Sequence, residues 1–204
     1  EVLGTISQKK DRTEKAVEYY QKELKINPKA INSLLNCGLI LLRSGKIIES
    51  IESLEKASAL NQSDQCSILL AEAYQSLGQF RKAINEYERL DINKFQDKNI
   101  SFNLGLCHLY IGNNLDAVKA FKIAVRLDKT FLAAWGNIGF ALMNERRHEE
   151  ALHATLKVLE IDPDNADALS NLGSIYNELG NLDQALSSTL KSLKLKPHNP
   201  DALS

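Results

Sequence analysis

Residues 171–190 read "NLGSIYNELGNLDQALSSTL" (Asn171 to Leu190). Asn and Gly each cost about 0.5–1 kcal/mol relative to Ala in a helix interior. Asn171 and Gly173 nevertheless stand inside a helical apolar pattern. Ala168, Leu169, Leu172, Gly173, Ile175, Tyr176 and Leu179 recur at the three- and four-residue intervals of an amphipathic helix, not at the two-residue interval of a strand. Gly180-Asn181 then brings residues that tolerate left-handed backbone angles and ends that helix. Asp183 opens another, its carboxylate suiting a helix N-terminus. The stretch predicts one helix, a tight turn and a second helix.

The same arrangement runs the length of the chain. A small residue, then Leu or an aromatic three further on, then Gly four beyond that, appears as Gly38–Leu41–Gly45, Ala71–Tyr74–Gly78, Gly105–His108–Gly112, Gly139–Leu142–Arg146 and Gly173–Tyr176–Gly180. Successive copies begin 33, 34, 34 and 34 residues apart. Twelve residues after each small residue comes another: Ser50, Ala83, Ala117, Ala151 and Ala185. Four further on stands a larger one: Leu54, Tyr87, Phe121, Thr155 and Thr189. Leu3-Gly4, Ala16, Tyr20 and Pro28 fit a truncated copy at the start, and "NPDALS" opens a further one at the end. Self-similarity at such a period marks an array of helical hairpins, each needing its neighbours to bury its apolar face.

These motifs resemble the tetratricopeptide repeat, a helix–turn–helix unit with W-x2-L-G-x2-Y, A-x3-F and P at these intervals. Trp135, Ile138, Gly139 and Leu142 carry the first element in one copy, and Ala117, Phe121 and Ala124 the second in another. The resemblance covers essentially all 204 residues. It implies an all-α, right-handed α-solenoid of antiparallel helix pairs with the first helices lining its concave side. The array divides as 1–30 (truncated), 31–63, 64–97, 98–131, 132–165 and 166–199, with 200–204 starting a further repeat or cap. Pro28, Pro163 and Pro197 close second helices, since Pro cannot continue the hydrogen-bond ladder. Gly173 and its equivalents should mark where the two helices of a unit press together. One junction departs from the pattern: "ERLDINKFQDKN" puts Phe95 where Pro is expected. A shorter second helix or a loosened joint is expected between residues 90 and 98.

Function is sought among first-helix residues that packing does not require. Leu34, Cys37 and Leu41 and their equivalents are expected in the core. The residue two before each small one is Asn36, Asn103, Asn137 and Asn171, with Val2 and Leu69 as exceptions. An Asn amide can both donate and accept, so a row of them can pair with the N–H and C=O of an extended peptide. The row resembles the asparagine ladder of repeat arrays that hold peptides, as in O-linked N-acetylglucosamine transferases and kinesin light chains. Inheritance by duplication would give the same row without function. Neighbouring inner positions are apolar in the middle repeats: Leu35, Leu39, Leu42, Ile68, Phe102, Leu106, Leu109, Tyr110, Phe140 and Met143. The last repeat has Ser170, Ser174 and Asn177 there. Such a patch marks an interaction surface if it is open, or plain packing if superhelical curvature closes over it.

Composition narrows the partners. A formal net charge of −1 argues against nucleic acid or an anionic membrane, both of which need a basic surface. No apolar run approaches the ~20 residues of a membrane helix, and "EVLGTISQKK" lacks the basic and apolar regions of a signal peptide. Cys37, Cys66 and Cys107 cannot all pair within the chain, and they suit buried thiols in a reducing, cytoplasmic setting. "HEEALH" places His148 and His153 five apart, about 140° around a helix, so they cannot share a metal on one face. His148 and His153 read as surface residues and His108 as a packed one. No phosphate loop, dinucleotide fingerprint or nucleophile elbow is present. Only Arg43 lies near the inner face, beside Glu72 and Glu178, which disfavours a clamp for a peptide carboxylate.

These readings predict a non-catalytic scaffold that binds an extended or amphipathic peptide segment in a concave groove, without cofactor or metal. The alternative is the substrate-recruiting arm of a larger enzyme such as a glycosyltransferase. The chain starts inside one repeat and stops inside another, so it is expected to be part of a longer protein. Self-association through uncapped ends is a third expectation.

Overall fold

The computed structural model describes residues 2–90 and 96–196, with side chains from residue 14 onward. The chain divides into two compact units, residues 1–95 and 96–204. The first holds α1 (Val2–Ile26), α2 (Ile31–Arg43), α3 (Ile47–Leu60), α4 (Asp64–Ser76) and α5 (Phe80–Glu88). The second holds α6 (Lys98–Tyr110), α7 (Asn114–Leu127), α8 (Leu132–Asn144), α9 (His148–Ile161), α10 (Ala166–Glu178) and α11 (Leu182–Leu195). Among the described residues there are eleven helices and no strand.

Within each unit, helices pair in sequence order: α2 with α3, α4 with α5, α6 with α7, α8 with α9 and α10 with α11. The turns that join them share one geometry. Gly45, Gly78, Gly112 and Gly180 take φ of 80°, 70°, 79° and 78°, a left-handed conformation that costs a glycine nothing. The next residue's N–H then reaches back five positions, as from Lys46 to the Leu41 carbonyl at 2.9 Å and from Asn181 to that of Tyr176 at 2.8 Å. This bond satisfies a helix-end carbonyl and sets the second helix off antiparallel. The fifth turn makes the same bond, Arg147 to Leu142 at 2.9 Å, with Arg146 forced to φ 56°.

The small residues lie where the paired helices touch. A Cβ on Gly38 would fall 2.6 Å from Leu54, and one on Gly105 would fall 2.5 Å from Phe121, far inside contact distance. Gly173 is equally closed by Thr189 Oγ1. On the partner helices, Ser50, Ala83, Ala117 and Ala151 are fully buried, and so are Leu54, Tyr87 and Phe121. This close approach, rather than local propensity, keeps glycine in the first helices. Burying a side chain the size of Phe121 contributes about 1.5–3 kcal/mol.

Neighbouring pairs are sewn together across the repeat boundary. Cys66 Sγ donates to the Leu54 carbonyl at 3.2 Å, and the Tyr74 hydroxyl donates to Glu55 Oε1 at 2.6 Å; within the last pair, Ser192 Oγ donates to the Ala166 carbonyl at 2.8 Å. Cys37, Cys66 and Cys107 are free, buried thiols. Burial pushes all three thiols up from their ordinary value of 9.0, Cys107 to about 12.

Two features depart from a regular array. α5 has 9 residues where α3, α7, α9 and α11 have 14, which is the expected shorter second helix. The expected loosened joint falls mainly on 91–95, outside the described residues. The opening segment, expected as a truncated repeat, is a single helix, α1, that runs unbroken for 25 residues. The position corresponding to Gly45 is Asp11, and neither Gly nor Pro interrupts the helix there.

Candidate functional site

In the first unit, Leu34, Cys37 and Leu41 are buried in the core, as their spacing requires. Leu35 is only 8% exposed, so its side chain belongs to the packing and has no surface to give a ligand. That corrects its assignment to the inner face. Asn36, Leu39, Leu42 and Ile68 are half-buried, and Leu69 is buried. Arg43 Nη2 lies 3.9 Å from Glu72 Oε2, so the one basic group expected near this face already has a carboxylate beside it.

In the second unit, α6, α8 and α10 carry Asn103, Asn137 and Asn171 at one register, the first two half-buried and the third exposed. Asn137 Nδ2 donates to the Ala133 carbonyl of its own helix at 2.8 Å, which leaves its Oδ1 as the group with no hydrogen bond among the described residues. The aromatic positions divide into two kinds. Phe102 stacks against Phe131 and Phe121, with centroids 4.8 and 5.5 Å away, and it packs on the core together with Leu106 and Leu109. Tyr110 is 68% and Phe140 53% exposed, the most open of the apolar first-helix positions in this unit. Met143 is half-buried, Ser170 is buried, and Ser174 and Asn177 are exposed.

Charge on these first helices is sparse and acidic. α8 and α10 contain no Lys or Arg, and α10 carries Asp167 and Glu178. Lys98 at the start of α6 is bound to Asp128 at 2.5 Å, over the ring of Phe131. Lys98, helped by the Thr130 hydroxyl and N–H, holds the Asp128 carboxyl down at about 2.

A feature the sequence reading missed lies between α8, α9 and α10. A cavity of about 220 Å3 is lined by Leu132, Ala133, Gly136, Thr155, Val158, Asn165, Asp167, Ala168 and Asn171. Gly136 makes it. Leu35, Ile68, Phe102 and Ser170 occupy the corresponding positions of the other repeats. A Cβ on Gly136 would meet nothing within 4 Å, unlike those on Gly38, Gly105 and Gly173. This glycine therefore forgoes about 0.5–1 kcal/mol of helix stability with no packing reason. The signal was legible: Gly136 is the one glycine in a first helix that falls outside the repeat pattern.

The described histidines form no metal site. His153 faces Trp135 edge-on at 6.4 Å, while His148 lies 4.0 Å from Glu178 on another helix. His148 is half-buried rather than on the surface, and His108 is buried as expected. Among the described residues no group of three His, Cys, Asp or Glu side chains could hold a metal ion, and no helix is long and apolar enough to cross a membrane.

Known proteins fit this architecture. Family models described as tetratricopeptide repeat match residues 2–30, 68–130, 132–165 and 154–187. TPR repeat-containing protein MJ1428 of Methanocaldococcus jannaschii is 27% identical over 88% of this chain, which spans 35% of that protein's length. Protein O-mannosyl-transferase TMTC3 of Mus musculus is 36% identical over 59 residues, 29% of this chain and 6% of that protein. Among solved structures, YrrB, a TPR protein with an unusual peptide-binding site, superposes with a TM-score of 0.82 at 22% identity, over 92% of this chain and 97% of that one. TPR repeats imply a protein–protein interaction scaffold. With its five helix pairs, its glycine turns and these matches, the chain belongs to the tetratricopeptide repeat family, an all-α helical-repeat solenoid.

Proposed function

We propose that this protein is a non-catalytic module that holds an extended peptide segment of a protein partner against the first helices of its second unit. One observation carries the reading: Asn103, Asn137 and Asn171 share a register and flank the exposed Tyr110 and Phe140. The amides supply donors and acceptors that pair with peptide backbone whatever its side chains. YrrB, which shares the fold, has a peptide-binding site.

Magnitudes assign the two features different jobs. Three amides making about two bonds each, at about 0.5–1.5 kcal/mol net per bond, contribute roughly 3–9 kcal/mol. Association costs about 4–15 kcal/mol. The amides therefore set the line of the peptide, and apolar contacts at Tyr110, Phe140 and the exposed edges of Phe102 and Leu106 bring affinity to about micromolar. Within the first unit by itself, Asn36 and Leu39 would offer a peptide the same kind of contact.

Selection of binders from a library of displayed decapeptides tests this. Asn103→Ala with Asn137→Ala is expected to weaken the selected peptides about tenfold or more, with the circular dichroism spectrum unchanged. Selected peptides that bind the double variant as well as wild type would sink the reading.

A second reading is favoured by the TMTC3 match: the same face recruits a protein substrate for an enzyme domain elsewhere in a longer chain. A transferase domain on either side of residues 1–204 in the full-length sequence supports it, and further repeats alone on both sides contradict it.

A further inference from the structure

We propose that the cavity beside Gly136 is a specificity pocket that takes one lysine or arginine side chain of the bound peptide. This rests on the peptide-binding reading above and adds to it the chemistry of the residue selected.

Size and lining come first. About 220 Å3 is several times the ~30 Å3 share of a water molecule, enough for one long side chain. Leu132, Ala133, Val158 and Ala168 give most of the wall an apolar surface suited to a methylene stem, with Thr155 and Asn165 as its polar members. At the mouth stand a carboxylate, Asp167, and an amide, Asn171, both exposed. An apolar shaft ending in an acidic mouth is complementary to a side chain with a greasy stem and a cationic head. A shorter acidic or a purely apolar residue leaves one of the two halves unmatched.

Charge on the surrounding helices points the same way. Of the three helices that frame the cavity, α8 carries no charged side chain and α10 carries Asp167 and Glu178 but no Lys or Arg. Lys157 of α9 is paired with Glu160 at 2.6 Å, so the balance met by a basic segment is acidic. Asp167 already takes an ammonium. Lys196 Nζ lies 3.0 Å from both of its carboxylate oxygens. That pair is exposed on both sides and correspondingly weak. A peptide ammonium, or a guanidinium able to make two parallel bonds, displaces Lys196 while burying its own stem, which Lys196 does not do.

Gly136 supplies the independent argument. It gives up helix stability at a position where a Cβ would meet only open space, and the other repeats fill that position with Leu, Ile, Phe or Ser. Packing does not ask for the missing side chain. A ligand side chain does.

The test is a positional-scanning library of fluorescein-labelled decapeptides, each pool with one residue fixed, read by anisotropy against the whole chain and three variants. Wild type is expected to prefer Lys or Arg at one position. Gly136→Leu, which fills the cavity with the residue found at position 35, is expected to lower binding of the preferred pools about tenfold and abolish the preference. Asp167→Asn is expected to lower it roughly three- to fivefold. Asn103→Ala, on α6, should weaken all pools alike and keep the preference, which separates the pocket from the backbone grip. A wild type with no basic preference, or one that survives both Gly136→Leu and Asp167→Asn, overturns the pocket while leaving the groove. Failure of every pool to bind overturns both. Should Gly136→Leu unfold, Asp167→Asn decides, because its side chain is exposed.

Discussion

Gly105 and Phe121 leave each other no room: a Cβ on the glycine would stand 2.5 Å from Cε1 of the ring. The same relation joins Gly38 to Leu54, and it explains why residues unsuited to helices are repeated inside them. Overpacking a site of this kind costs about 1–3 kcal/mol. Gly105→Ala is therefore expected to destabilise the protein by that amount in urea denaturation. Gly139→Ala, whose nearest neighbour is Thr155 Oγ1 at 3.1 Å, should cost less. Gly136→Ala should go the other way and stabilise by about 0.5–1 kcal/mol. Equal effects at the three positions would refute the packing account.

Arg146 occupies the left-handed turn position that four other repeats give to glycine. A side chain there costs roughly 1–2 kcal/mol, partly offset by the greater freedom a glycine brings to the unfolded chain, about 0.4–1 kcal/mol. Arg146→Gly should raise the melting temperature by about 2 °C, a shift expected for roughly 0.5–1 kcal/mol in a chain of this size. A lower melting temperature would mean that the arginine side chain has contacts worth more than the strain.

Asp128 ties α7 to α6 through Lys98. Its folded carboxyl lies at about 2, below the ordinary 3.8, so the stabilisation it adds is complete above about 3.8 and disappears as pH falls towards 2. Carbon-detected NMR titration should place its midpoint near 2 in wild type. In Lys98→Met the midpoint should rise towards 3.8. An unchanged midpoint would show that Thr130 alone holds the carboxylate.

Cys107 behaves in the opposite sense. Desolvation holds its thiol at about 12 in the fold against 9.0 ordinarily. Its contribution is whole below about 9 and is lost as pH climbs towards 12, because the unfolded thiol ionises first. In iodoacetamide labelling at pH 8.5, Cys107 should be modified only after urea unfolds the chain. Rapid labelling of the native protein would contradict its burial.

Phe140 tests surface against core. Phe140→Ser should change stability by less than about 0.5 kcal/mol, as surface replacements do, yet weaken selected peptides several-fold. Large destabilisation with unaltered binding would place Phe140 in the packing instead.

Helical hairpins, glycine contacts and buried partners such as Ala117 and Phe121 were legible in the sequence because packing repeats with the period of the chain. The unbroken course of α1 was less so: Leu3-Gly4, Ala16 and Tyr20 mark a truncated repeat there, but Asp11 stands where four other repeats place glycine. The inner face was legible in register but not in exposure. Leu35 and Tyr110 belong to one pattern of apolar first-helix residues, yet one is covered and the other open, because covering depends on the helices alongside. The Gly136 cavity escaped notice because it is defined by a missing side chain, and a search for functional groups looks for those that are present.

The turn bonds, such as Lys46 to Leu41, never cross from one hairpin to the next. Each hairpin therefore closes its own connection, and copying or deleting one whole unit leaves every other connection chemically intact. Such a chain can lengthen or shorten by gene duplication without inventing a new loop, and a cavity made by one glycine travels with the copied unit as portable vocabulary for another basic residue.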